Sequence, residues 1–293
     1  MNVLVAGGTG FVGTRLCQAL VARGDVVTVV SRDPAGARVN GLPGVSYRGW
    51  LPHLDGYHAV VNLAGEPIFG KRWNAARRRE IRESRLQATR TIVDAIAAAR
   101  EPPRVLVNGS AIGYYGDRGE EELPETARPG DDFMAQLCRD WEAEALRCPV
   151  RTVLLRTAVV LGEHGGALEQ MLPPFRLGIG GPIGLGRQWF SWIHIDDLVG
   201  LVLWALDDAQ VAGAVNGSAP GVVRNRAFSH ALGRVLHRPS FLPVPTFALR
   251  LRFGAVAEVL TASQRCVPAV AQRFRHAFRF PAVEGALAAV LQR

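Results

Sequence analysis

Short apolar runs alternate along the first half of the chain with longer stretches whose apolar residues recur every three or four positions. Residues 2–6 (NVLVA), 26–30, 59–63 (AVVNL), 105–107 and 151–160 are rich in β-branched side chains and carry few charges, the pattern of strands covered on both faces. Between them, Leu16, Cys17, Leu20 and Val21 fall at helical spacing, and so do Ile81, Ala88, Ile92 and Ile96. Strand and helix in alternation predict an α/β fold with a doubly wound parallel sheet. Beyond residue 163 the alternation loosens. The expected division is therefore a sheet domain over residues 1–163 and a smaller, mainly C-terminal lobe over 164–293 that holds a substrate, with about 190–217 returning to the sheet domain.

The first strand runs directly into Gly7-Gly8-Thr9-Gly10-Phe11-Val12-Gly13 and then into the first helical stretch. Glycines in such a turn allow close backbone approach to a pyrophosphate and close helix-to-strand packing. The helix start offers free N–H groups and the positive end of its dipole. This is the signature of a Rossmann sheet, and Gly7, Thr9, Gly10, Phe11, Val12 and Gly13 are expected to bind a dinucleotide.

The second strand ends in Ser31-Arg32-Asp33. A hydroxyl and a guanidinium suit a 2′-phosphate and favour NADP, as NADPH, whereas Asp33 holding the ribose beside a solvated Arg32 would favour NAD. The later strands lead into Leu63-Ala64-Gly65-Glu66 and into Ser110, and strand ends of this kind line one crevice. Arg85 falls inside the apolar stripe of its helix, so it either faces cofactor or substrate or carries another anionic partner. Its neighbours Arg77, Arg78, Arg79 and Arg82 read as a solvated face.

Composition narrows the partners. Of 293 residues, 48% are hydrophobic and 20% charged, so a core forms readily and disorder is excluded. A net charge of +8 suits an anion such as a phosphorylated cofactor. Arg224, Arg226, Arg234, His237, Arg238, Arg250 and Arg252 lack an RNA-binding aromatic signature or helix-turn-helix spacing, and read as surface charge without a nucleic-acid partner. The apolar run at 198–206 is far below the ~18 residues of a membrane span, so no membrane partner is expected. No basic n-region precedes Arg15, which points to the cytoplasm. Cys17, Cys138, Cys148 and Cys266 are scattered, and His194 before Asp196-Asp197 reads as a helix cap, so no metal site is expected.

The glycine turn, Leu63-Ala64-Gly65, Ser110 and Tyr115-Gly116 resemble the extended short-chain dehydrogenase/reductase superfamily. Glu66-Pro67, Arg72-Trp73, Ser84-Arg85, residues 109–116, Trp141-Glu142 and residues 186–194 narrow the resemblance to its atypical epimerase-like family with a small C-terminal domain of unknown function, and it runs over essentially the whole chain, including residues 264–268 and Phe278-Arg279-Phe280. Superfamily members use a serine and a Tyr-x-x-x-Lys pair. The serine matches Ser110, but residues 132–138 (DFMAQLC) hold neither tyrosine nor lysine.

The resemblance places Cys138 at the lysine position and Arg85 at that of an upstream asparagine. Cys138 brings no positive charge and reads better as a buried small hydrophobe. Ser110, Tyr114, Arg85 and Cys138 are the catalytic candidates, with Tyr114 or a water aligned by Arg85 moving the proton. Tyr115, Phe133, Arg187, Trp189 and Trp192 are the substrate candidates, the last three on or beside a glycine-rich segment that would cover the pocket. The expected function is an NADP-binding oxidoreductase or epimerase-like enzyme acting on a small carbonyl or hydroxyl substrate. Its rival is a non-catalytic NADP-dependent binding or sensor protein.

Overall fold

The computed structural model describes residues 1–39, 41–50, 53–69, 72–163 and 165–292; the side chains of Val39, Ala248, Arg250, Arg252 and Phe253 lie outside the described set. The nucleotide half follows the hydrophobic alternation: β1 (Asn2–Ala6), α1 (Phe11–Ala22), β2 (Val26–Val30), α2 (Pro34–Val39), β3 (Val45–Arg48), β4 (Ala59–Asn62), α3 (Ala75–Ala97) and β5 (Val105–Ala111). A 3-10 turn (Ile112–Tyr115), β6 (Glu122–Leu123), α4 (Phe133–Ala145), β7 (Arg151–Thr157) and β8 (Val159–Leu161) follow. Next come α5 (Gly166–Arg176), β9 (Trp189–Phe190), β10 (Trp192–His194), α6 (Ile195–Asp207), β11 (Gly213–Gly217), β12 (Val223–Arg224) and α7 (Asn225–Val235). The chain closes with α8 (Thr246–Phe253), α9 (Val256–Thr261), β13 (Arg265–Cys266), α10 (Ala269–Arg273) and α11 (Val283–Leu291).

Seven strands form one parallel sheet in the order β11-β7-β5-β4-β1-β2-β3. The chain grows outward from β1 to β3, then restarts on the other side of β1 with β4. That reversal opens a crevice at the carboxyl ends of β1 and β4, where ligands of open α/β sheets sit. β3 escaped the sequence reading because it is a short edge strand with one buried residue, Tyr47. The expected strand over 151–160 is two: the chain leaves the sheet at Ala158, and β8 pairs with β10 instead.

Val3, Val5, Val61, Val107, Leu155, Leu198 and Leu201 belong to the core on the α1/α6 face of the sheet. A second core joins Leu161, Leu168, Trp192, Phe228 and Leu287 from α5, β8, β10, α7 and α11. Between 192 and 217 the chain rejoins the nucleotide half, with α6 packed on α1 and β11 paired to β7. His194 caps α6, its Nδ1 accepting the Asp196 N–H at 3.0 Å. Asp197 accepts the N–H groups of Arg279 and Phe280 at 2.7 and 2.9 Å, tying the C-terminal segment to α6.

Candidate functional site

Two glycines shape the turn after β1 and a third leaves it open. Gly7 has φ +79°, and a Cβ there would lie 2.7 Å from the Leu63 carbonyl. A Cβ on Gly13 would lie 2.1 Å from the Gly7 oxygen, so α1 can lie against the turn only with glycine there. At Gly10 a Cβ would meet only the Gly7 oxygen, at 3.3 Å. Gly10 is also the N-cap of α1, with no capping side chain and no acid in the first turn. The N–H groups of Phe11, Val12 and Gly13 thus open the helix without a capping side chain, beside exposed Thr9, which fits a pyrophosphate. The Phe11 ring anchors the turn against Gly162, Gly165 and Gly166.

The end of β2 separates the two readings of residues 31–33. Asp33 Oδ1 accepts the Gly36 N–H at 3.0 Å, and Ser31 Oγ bridges the Asp33 N–H and carbonyl. The acid is therefore engaged at the start of α2. Arg32 is 86% exposed, with its guanidinium 3.4 Å from Glu66 Oε1. A carboxylate engaged elsewhere and a solvent-facing guanidinium suit a 2′-phosphate better than a ribose diol.

Behind residues 63–66 lies a buried polar web. Asn62 Nδ2 donates to Thr89 Oγ1 at 2.9 Å and to Asn108 Oδ1 at 2.7 Å, while its Oδ1 accepts the Ala64 N–H at 3.2 Å. Trp141 Nε1 donates to the same threonine at 2.8 Å. The web locks the ends of β4 and β5 to α3 and α4, which fixes Leu63, Ala64 and Gly65 beside the glycine turn.

Glu66 reaches both Arg32 and Arg77, and Arg77 corrects the solvated-face expectation. It is only 6% exposed, donating to Glu66 at 3.3 Å, Glu80 at 2.6 Å and the Pro67 carbonyl at 2.5 Å. Arg85 is buried under Gly65, over the Trp141 ring and near Cys138. Its only described hydrogen bond runs to the Ile81 carbonyl, at 3.0 Å. Burial pushes its guanidinium down to about 10, against the attraction of Cys138 and Glu66. A buried cation without a hydrogen-bonded carboxylate is a ready partner for an anion.

Ser110 heads a second network that the sequence did not reveal. Its hydroxyl donates to Glu142 Oε1 at 2.6 Å, and Glu142 is clamped by Arg156 through two contacts of 2.8 Å. Arg156 Nη1 donates to Tyr115 Oη at 3.0 Å, and Tyr115 donates to Asn216 Oδ1 at 2.7 Å. Asn216 Nδ2 ends the chain on the carbonyls of Leu123 and Val267. With its proton committed to a carboxylate, Ser110 offers lone pairs, so it accepts a hydrogen bond from a hydroxyl more readily than it donates one to a carbonyl oxygen.

Met134, Cys138 and Glu142 lie four residues apart on α4 and are all buried. The Tyr-x-x-x-Lys positions are thus an apolar thioether and a thiol, and the titratable group stands one turn further on. Only the Trp141-Glu142 pair hinted at it.

Cys138 is 1% exposed, beside Ser110 and Arg85, and burial pushes its thiol up to about 12, the setting of a buried small hydrophobe. Tyr115 is fully buried, with its hydroxyl satisfied and its ionisation pushed up by burial; it is a structural strut, not a substrate contact. Tyr114 is half-buried under the Arg156 guanidinium, 3.5 Å from its ring centroid, and its hydroxyl makes no hydrogen bond among the described residues.

The substrate candidates do not converge. Phe133 lines a narrow cavity of about 40 Å³ with Trp73, Gly113, Met134, Val259 and Gln264. Gln264 Nε2 spans it to the carbonyls of Ile112 and Gly116, each at 3.0 Å. Trp192 is fully buried and donates to the Gly221 carbonyl, which makes it core. Arg187 is exposed on a separate cavity of about 390 Å³ with Glu120, Arg224 and Arg226. Trp189 turns toward that side too, bonded to Glu120 and flanked by Arg224 and Arg265. The glycine-rich segment packs on residues 239–246 rather than over Ser110, because Gly178, Gly181 and Gly184 approach Pro239, Leu242 and Thr246. A larger cavity of about 480 Å³ shares Thr9, Gly10 and Phe11 with the crevice but none of Ser31, Arg32, Leu63 or Ser110. Its wall carries Glu163 and an Asp196 paired to Arg15 at 2.7 Å.

A seven-stranded parallel sheet, an uncapped helix behind a glycine turn and a serine at the end of β5 define a dinucleotide-binding protein of the short-chain dehydrogenase/reductase type. The chain belongs to the NAD dependent epimerase/dehydratase family, whose pattern matches residues 3–216, and residues 244–290 match a domain of unknown function, DUF1731. It is 44% identical to the epimerase family protein SDR39U1 of Bos taurus, over 99% of this chain and 100% of that one. The chloroplastic SDR39U1 homolog of Arabidopsis thaliana is 42% identical over 100% of this chain and 87% of its own. The crystal structure of human SDR39U1 (isoform 2) with NADPH superposes with a TM-score of 0.93 at 40% identity, covering 100% of both chains.

Proposed function

We propose that the protein is an NADPH-dependent oxidoreductase or epimerase-like enzyme acting on a small carbonyl or hydroxyl substrate. The observation that carries the cofactor reading is the end of β2, where Asp33 is engaged at α2 and Arg32 faces solvent. The human relative crystallised with NADPH supports it. Gly10, Phe11, Val12 and Gly13 would hold the pyrophosphate, Ser31 and Arg32 the 2′-phosphate, and residues 63–66 the groove wall. When bound, the nicotinamide supplies hydride donation and acceptance.

This chain's own residues handle the proton and the charge. Ser110 takes the proton of a substrate hydroxyl while its own passes along the hydrogen bond to the Glu142 carboxylate, and Tyr114 offers a second hydroxyl, one without a hydrogen bond among the described residues. Arg85 stabilises negative charge next to Gly65. The scattered thiols are all buried and unbridged, which suits a reducing compartment, and we place the protein in the cytoplasm.

The filled Tyr and Lys positions favour one rival, an NADPH-responsive binding protein without turnover. NADPH oxidation across aldehydes, ketones and sugar nucleotides separates the two. Turnover that falls by ~10²–10⁴ in Tyr114→Phe supports the enzyme and its acid group. Tight NADPH binding with no turnover across the panel supports the rival, and absence of NADPH binding ends both.

A further inference from the structure

Acidic residues are missing from two long stretches that pack against each other. Residues 170–195 and 209–257 contain no Asp or Glu, although the chain has 26, and they contain eight arginines. Their surface parts are laced together: the Val244 N–H donates to the Pro182 carbonyl at 2.8 Å, and the Gly184 N–H to the Val244 carbonyl at 2.9 Å. From this paired unit Leu177, Ile179, Leu185, Phe241, Phe247 and Leu251 are each between 57% and 76% exposed. Leu242 adds a further 42%. Seven of the eleven large apolar side chains that stand exposed among the described residues are therefore gathered here. Arg176, Arg187, Arg226 and Arg238 are exposed beside them and form no ion pair among the described residues.

We propose that this face docks on an anionic lipid bilayer, with the leucines and phenylalanines entering the headgroup boundary and the arginines facing lipid phosphates and carboxylates. Apolar side chains gathered on one face beside unpaired arginines are the composition of an interfacial contact. Three occupants compete for such a face. A second copy would bring the same unpaired arginines against these, so like charges oppose self-association. Nucleic acid would neutralise the arginines but leave the aliphatic and phenyl side chains without an apolar phase. A bilayer satisfies both sets. The inference reverses the expectation of no membrane partner. That expectation rested on the lack of a spanning segment, and among the described residues no helix is long and apolar enough to cross, but surface docking needs none.

The test is flotation of the full chain with vesicles of phosphatidylcholine alone and with about 30% phosphatidylserine added. Binding is expected only to the mixed vesicles and is lost at about 0.5 M salt, where charge attraction is screened. Arg176→Glu with Arg238→Glu should weaken it by tenfold or more, since each basic side chain near an anionic surface contributes on the order of fivefold. Leu177→Ser with Phe247→Ser should weaken it comparably without altering the circular dichroism spectrum or the melting temperature. Failure of the wild type to float with mixed vesicles, or equal flotation with both kinds, overturns the proposal. So does unchanged binding in both double variants. Concentration-dependent dimers that the same variants abolish, with no vesicle binding, would assign the face to a second copy. Retention of a single-stranded RNA without vesicle binding would assign it to nucleic acid.

Discussion

The glycine turn after β1 and the network behind Ser110 stand at carboxyl ends of strands in the same sheet, yet they are built from different material. The turn is made of backbone: Gly7 and Gly13 let chain segments touch, and the start of α1 presents amides. The Ser110 end is made of side chains drawn from β5, α4, β7 and β11, joined through a buried ion pair. A backbone site depends on the absence of atoms and tolerates few substitutions at few positions. A side-chain site depends on mutual satisfaction, so the loss of one member exposes the need of the next.

The largest effect expected from that contrast is on the ion pair. Glu142→Ala leaves the Arg156 guanidinium buried without its carboxylate and should cost about 3–5 kcal/mol in urea unfolding, whereas Glu142→Leu with Arg156→Met should recover most of it. An unchanged unfolding midpoint for Glu142→Ala would mean the network contributes little.

On the backbone side, Gly10→Val should weaken NADPH binding by ~100-fold or more, about 2.7 kcal/mol, with a much smaller loss of stability than at Gly13, because its Cβ would meet only the Gly7 oxygen, at 3.3 Å. Gly13→Val should instead unfold or strongly destabilise the chain. If calorimetry and circular dichroism gave the two variants the same profile, the division of labour within the turn would be wrong.

Arg32→Ala sharpens the comparison at a single contact. NADPH affinity should fall by about 1.5–3 kcal/mol, tenfold and upward, with NADH affinity little changed. Equal losses for both cofactors would return the ribose to Asp33.

An effect absent at neutral pH concerns Cys138, whose thiol has an ordinary value near 9 and is pushed up by burial to about 12. The unfolded state releases that proton first, so stability falls as pH rises from about 9 toward 12. Wild type should therefore lose up to about 1.4 kcal/mol per pH unit more than Cys138→Ala. Labelling of the folded protein by iodoacetamide near neutral pH at a free-thiol rate would contradict this burial.

What the sequence disclosed follows the same line between backbone and side chain. Hydrophobic period and glycine spacing report local geometry, so β1, the turn and α1 were legible, as were the strands leading to Gly65 and Ser110. Glu142 and Arg156 were not, because one sits on an amphipathic helix and the other inside an apolar strand, and nothing in either segment says that they meet. Arg77 looked like one of a run of solvated arginines until Glu66 and Glu80 enclosed it. Trp192 and Tyr115 were read as ligand contacts because large aromatic residues near a site carry two meanings. Burial of Trp192 in the second core and of Tyr115 among Ile112, Leu123, Ala158 and Cys266, with each polar atom satisfied internally, selects the structural one.

The bond from Asn216 to the Val267 carbonyl has a consequence for how the molecule can be divided. The matched patterns end at residue 216 and resume at 244, which invites cutting the chain between them as though a catalytic module carried a detachable tail. Severed there, Asn216 would lose its acceptor on Val267, and Ile112 and Gly116 would lose the amide of Gln264. The first loss reaches Ser110 through Tyr115, Arg156 and Glu142, and the second loosens the turn that carries Tyr115. The C-terminal segment is in this sense the back wall behind Ser110, and a chain cut short of it would be an open box rather than a smaller protein.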